Sequence, residues 1–211
     1  QIRCIDSIAA KFWKSPLCGL LFSDLFIEQQ FPVDDLKSFY GQSTNLFDPH
    51  EYSYFWNYYL KKKKIDLIKK EITQVLSYID CPLLLRGNLL KGHISKFLEI
   101  FPNTIIIYLN RNKEDIQKSI LRGRKDYFGN QKRWWSMKPS RKIKIFKLSP
   151  KKQIRYQVDY LSQEYLSELN NYPKSVMHVE YEKIVKNKHF FLKKFERAYK
   201  KKFNVLIKKK L

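Results

Sequence analysis

Residues 101–129 read FPNTIIIYLNRNKEDIQKSILRGRKDYFG. The β-branched run Thr104 to Leu109, bounded by Pro102 and Asn110, predicts a buried strand of a parallel sheet, apolar on both faces. Asn110 can then cap a helix beginning near Lys113, with Ile116, Ile120 and Leu121 inward, Arg122 and Arg124 outward, and Gly129 ending the region. Upstream, Leu83-Leu84-Leu85 between Pro82 and Gly87 predicts a second buried strand. Between the two, Ile94, Phe97, Leu98 and Phe101 fall at helical spacing. Strand, helix and strand form a βαβ unit, whose crossover is expected to be right-handed.

The same reading extends to both ends. Ile2, Ile5, Ile8, Ala9 and Phe12 share one helical face, and Pro16 and Gly19 close that segment. A long helix is expected from Pro49 to about Tyr78, capped by Asp48, with Tyr52, Phe55, Trp56 and Tyr59 on one side and a break at Lys61–Lys64. Gln131 to Pro150 has no sustained period and reads as a basic, aromatic loop or lid. A helix from about Lys151 to Asn170, a strand at Ser175 to Val179 and a last helix from about Lys188 to Lys201 complete the pattern. There is no internal repeat and no low-complexity linker, so 211 residues suit one domain.

Composition excludes several classes. Forty-two Lys and Arg against 20 Asp and Glu leave +22, yet 44% hydrophobic and 16% aromatic side chains make a foldable chain and not a disordered basic tail. No window approaches the roughly 18 apolar residues of a bilayer span. The first residues, QIRCIDSIAAKFWK, lack the layout of a signal peptide. Cys4, Cys18 and Cys81 show neither C-x-x-C spacing nor a His cluster, which fits a reducing, cytoplasmic compartment better than a disulfide scaffold or a zinc site. The positive charge invites a nucleic-acid reading, because Lys and Arg release counterions at phosphates. Each Lys run taken alone, Lys61–Lys64 or Lys208–Lys210, reads first as a solvated helix face or tail.

Ligands of open α/β sheets gather at the carboxyl ends of the strands, here Arg86-Gly87-Asn88 and Asn110-Arg111-Asn112. An Arg leaving a buried strand suits bidentate contact with a phosphate or sulfate. Ser119 stands eight residues past Arg111, about two helical turns in, so its hydroxyl helps only a ligand that lies along the helix. The alternative is that Arg111 pairs with Glu114 or Asp115 while Ser119 faces a neighbouring strand, and on spacing alone that alternative has the edge.

Residues 101–129 as a whole resemble the 3′-phosphate-binding segment of sulfotransferases that use 3′-phosphoadenosine 5′-phosphosulfate, in which Phe-Pro precedes a strand ending in Arg and a Ser follows eight positions later. The following RKDYFGNQKRWWSMKP is similar to the Arg-Lys…Tyr-Gly…Trp-Trp-Ser…Pro stretch of a bacterial branch of that family. PHEYSYFWNYYL resembles that branch's Glu…Phe-Trp helix, and LLLRGNLLKGHISKFLEIFP its strand and helix before the nucleotide segment. HVEYEKIVKNKHFFLKKFERAYKKKFN resembles its carboxyl-terminal Tyr-Glu-x-Ile/Leu-Val element. The pieces agree in order over about residues 48 to 204.

The resemblance implies one α/β domain over residues 1–211 with a P-loop nucleotide fold, a parallel sheet flanked by helices. It implies sulfuryl transfer from the phosphosulfate nucleotide to a hydroxyl or amine of a glycan or small metabolite. Arg111 and Ser119 would hold the 3′-phosphate, Arg86 would stabilise charge at the reacting centre, and the loop around Arg133 and Trp134 would close over the nucleotide. No metal is required, since protein cations balance the charge.

Two departures stand beside it. The family's 5′-phosphosulfate loop, typically Arg-Ser-Gly-Thr, occurs nowhere in the 211 residues. The Gln1-to-Lys14 helix is what would follow such a loop, so the expectation is a chain that starts just past it, lacking the first strand. The alternative is a non-catalytic remnant. Where family members carry Lys, and cytosolic ones a His two positions on, this chain has Arg86 and Asn88, and an amide cannot serve as the base. Glu51, with His50, Asp24 and Glu28 as rivals, is the candidate to take the acceptor's proton. Trp134 or Trp135 is expected to stack on adenine or a sugar ring. His93 and His178 read as structural, neither having partners at metal-ligand spacing.

Overall fold

A computed structural model of the chain describes residues 15, 17, 21, 65–79, 82–85, 87, 90–140 and 145–204. The chain divides into two units, Gln1–Lys96 and Phe97–Leu211.

In the first unit, helix α1 (Ile65–Tyr78) buries Ile68, Ile72 and Val75, an i, i+4, i+7 stripe, and exposes Leu67, Leu76 and Tyr78. It is the second half of the helix expected from Pro49. Residues 49–64, the amino-terminal helix over residues 1–14 and all three cysteines lie outside the described residues. The buried strand expected at Leu83-Leu84-Leu85 needs correction, because only Leu83 forms a bridge and Leu84 is 55% exposed. Three residues behind a proline, which has no N–H to give a ladder, are too few to propagate a strand.

Helix α2 (Ile94–Ile100) buries Ile94, Phe97 and Leu98 and runs across the boundary between the units. The second unit continues with β1 (Ile106–Asn110), α3 (Lys113–Phe128), a 3-10 turn (Ile145–Lys147), α4 (Pro150–Leu169), β2 (Val176–Glu180), α5 (Tyr181–Lys186) and α6 (Lys188–Phe203). Strands β1 and β2 pair in parallel, Ile106 against Val176 through Asn110 against Glu180. A parallel pair needs a long crossover, and α3, the basic loop and α4 supply it. Among the described residues the architecture is thus α/β, a two-stranded parallel sheet with helices.

Strand β1 is not buried on both faces, as the run Thr104 to Leu109 suggested. Met177 and Val179 are buried while His178 and Glu180 are exposed, and Leu109 is 53% exposed. In β2 that is the period-two alternation of a strand with one well-covered face, whereas β1 is half-buried over Ile106–Tyr108 and exposed at Leu109 and Asn110. The core lies between α3 and α4, where Ile120 meets Ile154 and Val158 and is flanked by Ile116, Leu121 and Trp135.

Arg124 corrects a second expectation. It is completely buried and not outward, because it continues the i, i+4 row of Ile116 and Ile120 into the contact with α4. No helix of the described residues is long and apolar enough to cross a membrane.

Candidate functional site

The carboxyl ends of β1 and β2 are locked together by the residues that leave them. Asn110 is the last residue of β1, paired with Glu180, so it cannot serve as the helix cap expected of it. Asn112 caps α3 in its place, its Oδ1 accepting from the N–H groups of Glu114 at 2.9 Å and Asp115 at 3.2 Å. The Asn112 N–H itself donates to Glu182 Oε1 at 2.8 Å. Lys113 Nζ meets Asp159 Oδ1 on α4 at 2.7 Å, tying the first turn of α3 to its neighbour.

Arg111 sits between these groups, half-buried, with its guanidinium carbon 5.0 Å from the centroid of the Tyr181 ring, the first residue after β2. Stacking on an aromatic face holds the planar cation in place, and its charge also acts on the Glu182 carboxylate. Among the described residues the ion pair with Glu114 or Asp115 is not formed, and Asp115 lies 3.8 Å from Lys118 instead.

These contacts limit where an anion can be held. The start of α3 is closed, since Asn112 and Glu182 take its first N–H groups and Glu114 and Asp115 place negative charge in its first turn. The helix-terminus mode of phosphate binding is therefore disfavoured. What remains for an anion is the flank of α3. Ser119, half-buried, lies on α3 one turn before Gly123, which packs against the Trp135 ring.

Glu182 carries a pH signature of this lock. The Asn112 N–H, above all, and also the positive charge of Arg111 hold its carboxyl below the usual carboxylate range. A depressed folded-state value means that the stabilisation is present above the unfolded carboxylate pKa and is lost as pH falls through the folded one. A carbon-13 titration of the Glu182 side chain is expected to show a midpoint below that of an unstructured Glu. A midpoint at or above it would contradict the Asn112 contact.

The loop after α3 is anchored from beneath. Arg124 donates from Nη1 to Gln153 Oε1 at 2.9 Å and to the Gln131 carbonyl at 3.2 Å, and from Nη2 to Gln157 Oε1 at 3.5 Å. Gln157 Nε2 donates to the carbonyls of Trp135 and Met137, and Gln153 Nε2 to that of Leu148. The burial that hides Arg124 lowers its pKa; its terminal nitrogens are hydrogen-bonded, while its Nε is buried without a partner among the described residues. Burial also pushes the Tyr165 phenol up to about 12, with Glu168 and Glu164 adding to the shift, and its hydroxyl donates to Met137 Sδ. Trp134 lies over Arg124, guanidinium carbon to ring centroid 5.2 Å, and its Nε1 donates to the Ser136 carbonyl. Arg133 stacks on Phe128 at 4.6 Å.

Of the residues singled out from sequence, Arg111, Ser119, Trp134, Trp135, His93 and His178 are described; Arg86, Asn88, Glu51, His50, Asp24 and Glu28 lie outside the described residues. His178 is exposed on β2, edge-on to Tyr108 at 5.6 Å. A hollow of about 310 Å³ opens between the strand ends and α6, and neither Arg111 nor Ser119 lines it. Among the described residues no group of three or more His, Cys, Asp or Glu is placed to hold a metal ion. Sequence reasoning missed the Arg124–Gln153–Gln157 cluster, although the spacing of Arg124 from Ile116 and Ile120 was a usable signal.

Fold and site together define an α/β protein with a cation at the exit of a parallel strand. No family model matches the chain, and no curated protein or solved structure matches it.

Proposed function

We propose that the chain is a nucleotide-dependent sulfotransferase that takes 3′-phosphoadenosine 5′-phosphosulfate as donor and a hydroxyl or amine of a glycan or small metabolite as acceptor. The observation that carries this reading is Arg111, half-buried at the carboxyl end of a parallel strand and stacked on Tyr181 instead of paired with a carboxylate of its own helix. The closed start of α3 agrees with it, because the reading requires the phosphate to lie along the helix toward Ser119. The ordered resemblance of residues 48 to 204 supplies the donor's identity and, with it, the P-loop nucleotide fold.

Arg111 and Ser119 hold the 3′-phosphate in this proposal, and Trp134, at the rim of the anchored loop, stacks on the nucleotide. Arg86 balances charge at the transferring group, and Glu51 takes the acceptor's proton. The donor supplies the activated sulfuryl group.

Calorimetric titration with adenosine 3′,5′-bisphosphate and with 5′-AMP tests the donor site. The bisphosphate is expected to bind more tightly. Arg111→Ala is expected to weaken it about ten- to a hundredfold, the loss of one charge-assisted contact of about 1.5–3 kcal/mol. Ser119→Ala should cost only a few-fold, since a neutral hydrogen bond contributes about 0.5–1.5 kcal/mol. Equal binding of the two nucleotides, or an Arg111→Ala chain that binds as the parent does, would refute the site. Mass-spectrometric detection of a sulfated acceptor separates a transferase from a remnant that only binds.

A further inference from the structure

Helix α6 packs beside α5 and reaches β2 through Lys194, whose Nζ donates to the His178 carbonyl, and its more exposed face has an order that its packing does not require. Phe191, Phe195, Tyr199 and Phe203 form a half-buried ladder at i, i+4 spacing, with ring centroids 6.2, 6.0 and 4.6 Å apart. Opposite them Lys193, Arg197 and Lys201 form an exposed row at i, i+4 and i+8, about 6 Å apart along the axis. Lys200 extends the cationic face beside the row, also exposed. Among the described residues Lys193, Arg197 and Lys201 make no ion pair.

Phe190 stands at the head of the row, a large aromatic 49% exposed among cations. It lines the hollow of about 310 Å³ together with Asn110, His178, Glu180, Lys183 and Lys194. A volume at the lower end of ligand pockets suits one small planar group, and Asn110 and Glu180 offer it both donors and acceptors.

We infer that the outward face of α6 and the hollow at its first turn bind single-stranded nucleic acid. Lys193, Arg197 and Lys201 lie against successive phosphates, while Phe190 stacks a base at the mouth of the hollow. Cations in a row that tracks a backbone, with an exposed ring for stacking, are the two parts of a sequence-tolerant single-strand surface. A net charge of +22 adds the long-range attraction. An acidic membrane is the less suited partner: a helix lying in lipid needs a continuous apolar face turned outward, and the most exposed face of α6 carries Lys193, Arg197 and Lys201 in its place. The surface does not depend on Arg111 or on the donor proposed above.

Fluorescence anisotropy with a labelled oligothymidylate of about fifteen nucleotides, within the range of single-strand site sizes, tests it on the full chain. The parent is expected to bind with a marked salt dependence. Lys193→Gln/Arg197→Gln/Lys201→Gln should weaken binding about tenfold or more and reduce the slope of log K against log salt by about 2, at about 0.7 per phosphate contact. Phe190→Ala, which changes no charge, should lose about tenfold with the slope unchanged. The control is a triple replacement of the same charge on α3, Lys118→Gln/Arg122→Gln/Lys125→Gln, which should bind nearly as the parent does. No binding by the parent, equal loss in the two triple variants, or an intact Phe190→Ala would overturn the inference. So would α6-dependent binding to phosphatidylserine vesicles in a chain that ignores the oligonucleotide.

Discussion

Arg124→Ala is expected to lower the stability of the Phe97–Leu211 unit by about 3–5 kcal/mol, a large share of the 5–15 kcal/mol that holds a typical domain. The side chain is 0% exposed and makes three hydrogen bonds from its terminal nitrogens. Truncation removes those bonds, opens a cavity between α3 and α4 and leaves the buried Oε1 atoms of Gln153 and Gln157 without their donor. Arg124→Lys should recover little, because an ammonium cannot present the planar fork that reaches both glutamines and the Gln131 carbonyl at once. The damage should also spread to the loop, since Gln153 and Gln157 fix the carbonyls of Leu148, Trp135 and Met137. Hydrogen exchange read on the amides of α3, α4 and residues 131–137 measures the loss locally. A reduction below about 1 kcal/mol would mean that the cluster is a passive filling of the interface.

This cluster shows what sequence can and cannot convey. Boundaries set by local chemistry were legible: Gly129, with φ of 66°, ends α3 as a left-handed cap, and Pro150 begins α4 at the position where its missing N–H costs nothing. Choices made across the fold were not. Asn110, the cap expected for α3, is claimed by the ladder from Ile106–Val176 to Asn110–Glu180, and Asn112 caps the helix in its place. Arg111 has two acidic residues within four positions, yet its partner is Tyr181, seventy residues on, brought there by parallel pairing. Charge suggested that Arg124 faces water; its helical register with Ile116 and Ile120 placed it in the core. Where the two signals conflicted, register prevailed because buried glutamines from α4 could meet the guanidinium.

Gly123→Ala is expected to destabilise the same unit by about 1–3 kcal/mol, although alanine is the better helix former by about 1 kcal/mol. The reason is contact and not backbone freedom. A methyl group at Gly123 would fall 2.6, 2.8 and 2.9 Å from three atoms of the Trp135 ring, closer than any real packing allows. The ring has little room to retreat, because it packs on the Ile120–Ile154–Val158 core and on Tyr127 at 5.7 Å, and the Trp135 carbonyl is held by Gln157. Trp135→Ala alone should cost about 3 kcal/mol for the lost burial. In that background the sign of the glycine substitution should reverse, since the obstacle is gone and helix propensity alone remains. Gly123→Ala should then stabilise by up to about 1 kcal/mol. A double-mutant cycle by urea denaturation measures the coupling, expected at about 1–4 kcal/mol from the two values. Additive effects would show that Trp135 does not press on α3 at Gly123, one turn from Ser119, and would remove the packing that brings the aromatic loop beside the proposed donor site.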